Sequence, residues 1–435
     1  MRFLDSILAA GREMLERRWP EQTGPQALGE RCKALLTHRG DASGLALAQE
    51  IMSAYASLSR EDRNDFFGFL SEEFAIQPAA ILDAADTYRR ELSYDALSQL
   101  RGALESPLRT LFGRINMVPG GTRAMVKMRE DLLEILGQRP DLRPLDDDLR
   151  QLLGTWFNRG FLMLARIDWG SPARVLERII EYEAVHEING WDDLRNRLQD
   201  DRRCFAFFHL AIEDDPLIFL QVALTHGITT AIDPLLAIDR TLEDPNDTDT
   251  AVFYSISTCH KGLHGISFGH FLIKQVVEEL RREFENIKQY ATLSPVPGFR
   301  HWVETASEGG LPPVIAEHLE SARALPSESD YGGECELLEP VSEMLTQLAA
   351  YYLLEAKRGD GQPVDSVARF HLANGASIGG INWGADGSDA GLERSFGIMV
   401  NYVYALSDIE RNHEAYFQEG RVIASSGVRK LVKGL

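Results

Sequence analysis

Cysteine is scarce in this chain. There are four in 435 residues, at positions 32, 204, 259 and 335. None are close enough for a CxxC redox pair or a zinc ribbon, and so low a count fits a reducing compartment. Long apolar runs are missing, so no segment reads as a membrane span. Positive charge is in deficit, with 45 Lys and Arg against 66 Asp and Glu, a net −21. That balance argues against non-specific nucleic-acid binding. It also means an anionic ligand has to be held by local cations against an adverse field. Several motifs are absent as well. No GxxxxGK[ST] appears, nor a clean GxGxxG. His186-Glu187-Ile188 lacks the second histidine of HExxH, and Asp214-Asp215 before Pro216 reads as a turn, so no metal site is expected. The start, MRFLDSILAAGREMLERRW, is amphipathic and Arg-rich, yet it carries Asp5, Glu13 and Glu16. It reads as a first helix rather than a transit peptide, and a cytoplasmic protein is expected.

What remains is an ordinary globular composition, 44% hydrophobic and 26% charged, long enough for about two domains. Residues 1–155 carry helical periodicity only. SGLALAQEIMSAYASL, PAAILDAADTYRREL, YDALSQLRGAL, TRAMVKMREDLLEIL and DDLRQLLGTWFNRGFLML each repeat apolar residues at helical spacing. Ser59 with Asp62 three residues on resembles a capping box. The expected first domain is therefore an all-α bundle over 1–155, a scaffold or oligomer contact. From about 156 to 435 strands alternate with helices, beginning with Ser171 as a helix cap, and an α/β domain is expected.

The richest segment lies in that second part. AVFYSISTC is a buried-strand pattern, HKGLHGISFG has glycines at 262, 265 and 269, and FLIKQVVEELRREF is helical. A helix N-terminus after a glycine-rich turn offers free N–H groups and partial positive charge to a phosphate. Lys261, Lys274 and His260, His264 and His270 stand beside it. The same glycines equally suit a tight strand–helix turn with no ligand. Next comes ATLSPVPGF, where Pro295 forces Ser294 into extended backbone at the end of a strand adjacent to the first. Then VARFHLANGASIGGINWGAD places His371 among apolar residues, with Asn374 shortly after. His371 is a candidate proton carrier, although most such histidines are hydrogen-bonded core residues. GIMVNYVYAL puts Tyr402 and Tyr404 on one side of a probable strand.

Taken together, SISTCHKGLHGISFGHFLIKQVVEELRREF, LSPVPGF, ARFHLANGASIGGINWGAD and NYVYAL, in that order, resemble the malonyl-CoA decarboxylase family. The resemblance implies a helical N-terminal domain and a C-terminal catalytic domain of the GNAT acyltransferase fold. It implies that Ser294 and His371 are catalytic, with Tyr404 near them. His264, Gly265, Ile266, Ser267, Phe268, Gly269 and His270 fall on the acyl-CoA loop. Animal members carry a glutamate where this chain has Ser267, so that carboxylate's role does not transfer. The implied substrate is malonyl-CoA, the implied setting fatty-acid metabolism, and a homo-oligomer, dimer or tetramer, is expected.

The reaction would release carbon dioxide and leave a thioester enolate. Ser294 would orient the malonyl group, His371 would protonate the enolate, and Asn374 or backbone N–H groups would complete an oxyanion site. No metal, biotin or other cofactor is called for, because the thioester is itself the electron sink. The alternatives are a GNAT-type acetyltransferase, which would need an acceptor amine, and a non-catalytic acyl-CoA sensor.

Overall fold

The computed structural model describes residues 24–38, 40–212, 214–266, 272–307, 309–325 and 341–433. Two compact units emerge. Among the described residues, one gathers 24–38 and 40–162 with 209–212 and 260–266, and the other holds the remaining described residues.

The first unit is helical, as its periodicity requires. Helices run over Pro25–Thr37, Asp41–Ser57, Arg60–Glu73, Pro78–Glu91, Tyr94–Leu104, Pro107–Asn116, Gly121–Ile135 and Arg143–Trp156. Ser59 caps its helix as expected, its Oγ accepting from Asp62 N at 3.1 Å and donating to the Asp62 carboxylate. The turn His260–Ile266 packs with these helices. Arg129, nearly buried, donates Nη1 to the carbonyls of Gly262 and His264 at 2.8 Å each, and Nε to Asp146. A side chain at Gly262 would sit 2.0 Å from Val126 O, so this approach requires glycine.

The second unit is built on one sheet. Its strands are β1 (Leu162–Ile167), β2 (Arg202–His209), β3 (Ile218–Thr225), β4 (Thr250–Thr258), β5 (Gln289–Thr292), β6 (Ser294–Pro295), β7 (Ser377–Asn382) and β8 (Met399–Val403). They lie in the order β1-β2-β3-β4-β5-β8-β6, with β7 also on β8. The pairing β4–β5 is parallel, while β2–β3, β3–β4 and the three pairings of β8 are antiparallel. A parallel pair needs a crossover, and helix Leu272–Glu283 supplies it, burying Leu272, Ile273, Val276, Val277 and Leu280. This is the helical first part and mixed-sheet second part that the sequence indicates.

Two local readings need correction. FLML, read as the tail of a helix, turns out as the last 3₁₀ residue, Phe161, and the start of β1. Asn158 and Gly160 break the helix after Trp156, and a uniformly apolar tetrapeptide carries no period of its own. The cap before Ala173 is Pro172 rather than Ser171, whose Oγ instead accepts from Asp168 N at 3.1 Å. The predicted exposed loop over 327–336 lies outside the described residues.

The sheet also fixes which way the key residues face. Leu293 is fully buried in a cluster with Val252, Tyr254, Ala385 and Met399. Successive strand residues alternate in direction, so Thr292 and Ser294 face the other side.

Candidate active site

β5 follows β4 only from Thr250–Gln289 to Phe253–Thr292. One further bond, Leu293 N to Phe253 O at 2.9 Å, ends the contact. The chain then swings onto β8, pairing Ser294 with Val400, while β4 runs on to Thr258. Ser294 thus sits where two parallel strands part. Pro295, which restricts its predecessor to extended backbone, marks the divergence.

His371 arrives from helix Ser366–Ala373. Directly after that helix, Gly375 has φ +84 and lies so close to Ile409 O that a Cβ would meet it at 2.3 Å. Only glycine turns the chain there into β7.

These elements bring three predicted residues together. His371 Nε2 is 3.0 Å from Ser294 Oγ, and His371 Nδ1 is 2.8 Å from the Tyr404 hydroxyl. Ser294 Oγ in turn donates to Thr292 Oγ1 at 2.8 Å, and Thr292 Oγ1 accepts from Tyr402 N. The Tyr402 ring stacks on the imidazole, with centroids 4.4 Å apart and planes inclined by 23°. Each imidazole nitrogen faces a hydroxyl able to donate or accept, so the ring can carry its proton on either. All of these groups are buried. Burial pushes the His371 pKa down to about 3 and those of Tyr402 and Tyr404 well above the phenol range. The free protein therefore holds a neutral imidazole near pH 7.

A family model described as the malonyl-CoA decarboxylase C-terminal domain matches residues 160–435. The chain belongs to the malonyl-CoA decarboxylase family. The model of that family's N-terminal domain matches residues 74–157. The mitochondrial malonyl-CoA decarboxylase of Rattus norvegicus is 35% identical over 416 residues, covering 88% of this chain and 84% of the relative. That of Anser anser anser is 34% identical and covers 88% and 82%. The solved malonyl-CoA decarboxylase of Rhodopseudomonas palustris has a TM-score of 0.87 at 46% identity, covering 94% of this chain and all (100%) of that one. The Agrobacterium vitis structure gives 0.84 at 45%, covering 93% and 99%.

Asn374 uses its amide on the helix end, Nδ2 donating to Phe370 O at 2.8 Å. His264 and Gly265 are exposed and Ile266 is buried, in the turn held by Arg129. Ser267, Phe268, Gly269 and His270 lie outside the described residues. Lys274, expected to help hold an anion, is paired with Glu410.

Sequence reasoning missed Thr292, and it treated Tyr402 as packing alone. Alternation within β5 and β8 was the available signal. It puts Thr292 on the face of Ser294, and Tyr402 on the face of Tyr404.

Proposed function

We propose that this chain decarboxylates malonyl-CoA to acetyl-CoA, with Ser294 orienting the malonyl group and His371 protonating the enolate. The observation that carries the assignment of residues is the buried chain Thr292–Ser294–His371–Tyr404.

The low pKa of His371 shapes the mechanism. A neutral imidazole is a poor donor to carbon. The malonyl carboxylate, entering the same dry space, favours the imidazolium and raises that pKa. Substrate thus brings a proton onto His371 from solvent. The C–C bond to the carboxylate breaks, carbon dioxide leaves, and the electron pair passes into the thioester as an enolate. Ser294 Oγ–H donates to the developing oxyanion or to the carboxylate before it leaves. Nε2–H of His371 then protonates the α carbon and the ring returns to neutral. One proton is consumed per turnover, as malonyl-CoA anion plus H⁺ gives acetyl-CoA plus CO₂. Tyr404 accepts from Nδ1–H while the ring is charged.

Coenzyme A phosphates are assigned to the acyl-CoA loop, His264–His270 in the sequence, on the argument from free N–H groups and local cations. A homo-oligomer is assigned to the helical part. Helices Pro78–Glu91 and Tyr94–Leu104 bury one alanine each, Ala84 and Ala96, and leave Leu82, Leu92, Tyr94 and Leu104 exposed. The compartment is read as cytoplasm and the setting as fatty-acid metabolism. Among the described residues no helix is long and apolar enough to cross a membrane.

The test is malonyl-CoA alone with purified protein, following acetyl-CoA and carbon dioxide. Equal amounts of both, lost in His371→Ala with CoA binding retained, support the assignment. Turnover that survives in His371→Ala sinks it.

A further inference from the structure

We propose that Asp365 is a positioning residue for the decarboxylation: its carboxylate anchors the helix that carries His371 and, through its charge, steadies the Tyr402 ring stacked on the imidazole. This rests on the assignment of His371 as proton donor.

Asp365 is the N-cap of helix Ser366–Ala373, six residues before His371. Its Oδ1 accepts from Ala368 N at 2.7 Å, which completes the cap. Oδ2 is buried and meets no hydrogen-bond partner among the described residues. A cap needs one acceptor, so the second oxygen and the charge are surplus to it. The other helices capped by a side chain among the described residues use Ser59, Ser93, Ser388 and Ser425. All four are exposed or half-exposed, whereas Asp365 is 1% exposed. The chain thus buries a carboxylate where a serine serves elsewhere.

Its surroundings explain what the charge acts on. Arg369, on the same helix, donates to the carbonyls of Pro363 and Val364 while its charge favours the carboxylate. Tyr352, from helix Ser342–Leu354, faces the carboxylate. Tyr402, from β8, feels its charge, and the Tyr402 hydroxyl is itself buried with no partner among the described residues. A buried charge thus caps the helix that carries His371 and acts on the tyrosine whose ring stacks on the imidazole. Burial raises the Asp365 pKa to about 6, against the pull of Ala368 N–H, Arg369, Val367 N–H and the Tyr352 hydroxyl.

Asp365→Asn and Asp365→Ser both keep a cap acceptor and remove the charge. The experiment measures kcat and KM for malonyl-CoA from pH 5 to 8, with thermal melts as a check on folding. Both variants should lose about 10-fold to 10²-fold in kcat with KM little changed. The wild-type protein should show an acid limb in kcat near pH 6 that both variants lack. If kcat stays within about twofold and the limb persists, Asp365 is a cap and nothing more. Failure of both cap-preserving variants to fold also overturns the proposal, assigning the residue to stability alone. Turnover retained in His371→Ala would sink the underlying reading instead. Loss there with full activity in Asp365→Asn sinks only this inference.

Discussion

Two buried carboxylates in the sheet unit are treated in opposite ways. Glu183, after helix Ala173–Tyr182, accepts from Val185 N, His186 N, Ser255 Oγ, Ser257 Oγ and Gln221 Nε2. Gln221 in turn accepts from the Tyr254 hydroxyl. Its bonds to Gln221 on β3 and to Ser255 and Ser257 on β4 tie those strands to the turn that follows the helix. Asp365 has one full hydrogen bond, and its second oxygen has none within 3.5 Å among the described residues, with Tyr352 and Val367 N–H nearby. Buried charge saturated with donors is a structural device, whereas buried charge left short of them is a cost that the fold alone gives no reason to bear. The region around Glu183 should therefore respond in stability, and the region around Asp365 and His371 in turnover.

The largest expected effect falls on the second region. His371→Ala should lower kcat by about 10²–10⁴-fold, the usual scale for a general acid, with CoA affinity nearly unchanged. Single-turnover kinetics and equilibrium binding check the two halves. Proton uptake on malonyl-CoA binding, followed with a pH indicator, should vanish in the same variant.

Glu183 should behave in reverse. Glu183→Ala leaves its donors buried without an acceptor, a loss of about 3–5 kcal/mol in stability by analogy with breaking a buried charge network. Denaturant melts read that loss. At a temperature where the variant stays folded, kcat per folded molecule should match wild type. A large fall in kcat there would erase the contrast between the two carboxylates.

Asp365→Asn sharpens the comparison through pH. The folded-state pKa, about 6 against the ordinary 3.8, lies above the unfolded one. The folded protein then binds more protons between those values, so stability falls as pH rises from about 4 to 6 and is level above. The neutral variant escapes that loss. It should be more stable than wild type by about 1–3 kcal/mol at pH 7, with the gain shrinking as pH falls through 6. Glu183→Gln should be destabilised at pH 7.

Much of this was legible in the sequence. Helical spacing over 271–284 matches the observed burial of Ile273, Val276, Val277 and Leu280. Pro295 announced the extended backbone of Ser294. The order of motifs identified the family, and with it the meeting of Ser294, His371 and Tyr404. Those residues are 77 and 33 positions apart, and no local period encodes such distances. The carboxylates were harder to see. Asp365 precedes SVARF as an N-cap signal, but burial decides its meaning, and no local pattern encodes that burial. Glu183 follows a helix as an unremarkable charge. Its partners on β3 and β4 are 38 to 74 residues away.

The smallest effect we expect is at Tyr404, and it tests whether hydrogen bonding or stacking holds the imidazole. Tyr404→Phe removes the partner of His371 Nδ1 and keeps the ring. One hydrogen bond is worth about 0.5–1.5 kcal/mol net, so the melt should shift only slightly. Turnover is more sensitive. Without Tyr404 the imidazolium loses the acceptor for Nδ1–H, while Ser294 at Nε2 and the Tyr402 stack keep the ring in place. A fall in kcat of about tenfold, matching the loss of that one bond, is the expected result. A fall as deep as that of His371→Ala would mean that Tyr404, rather than the stack and Ser294, sets the ring. No fall at all would mean that Nδ1–H needs no acceptor during the proton transfer, and the chain of hydroxyls would then end functionally at His371.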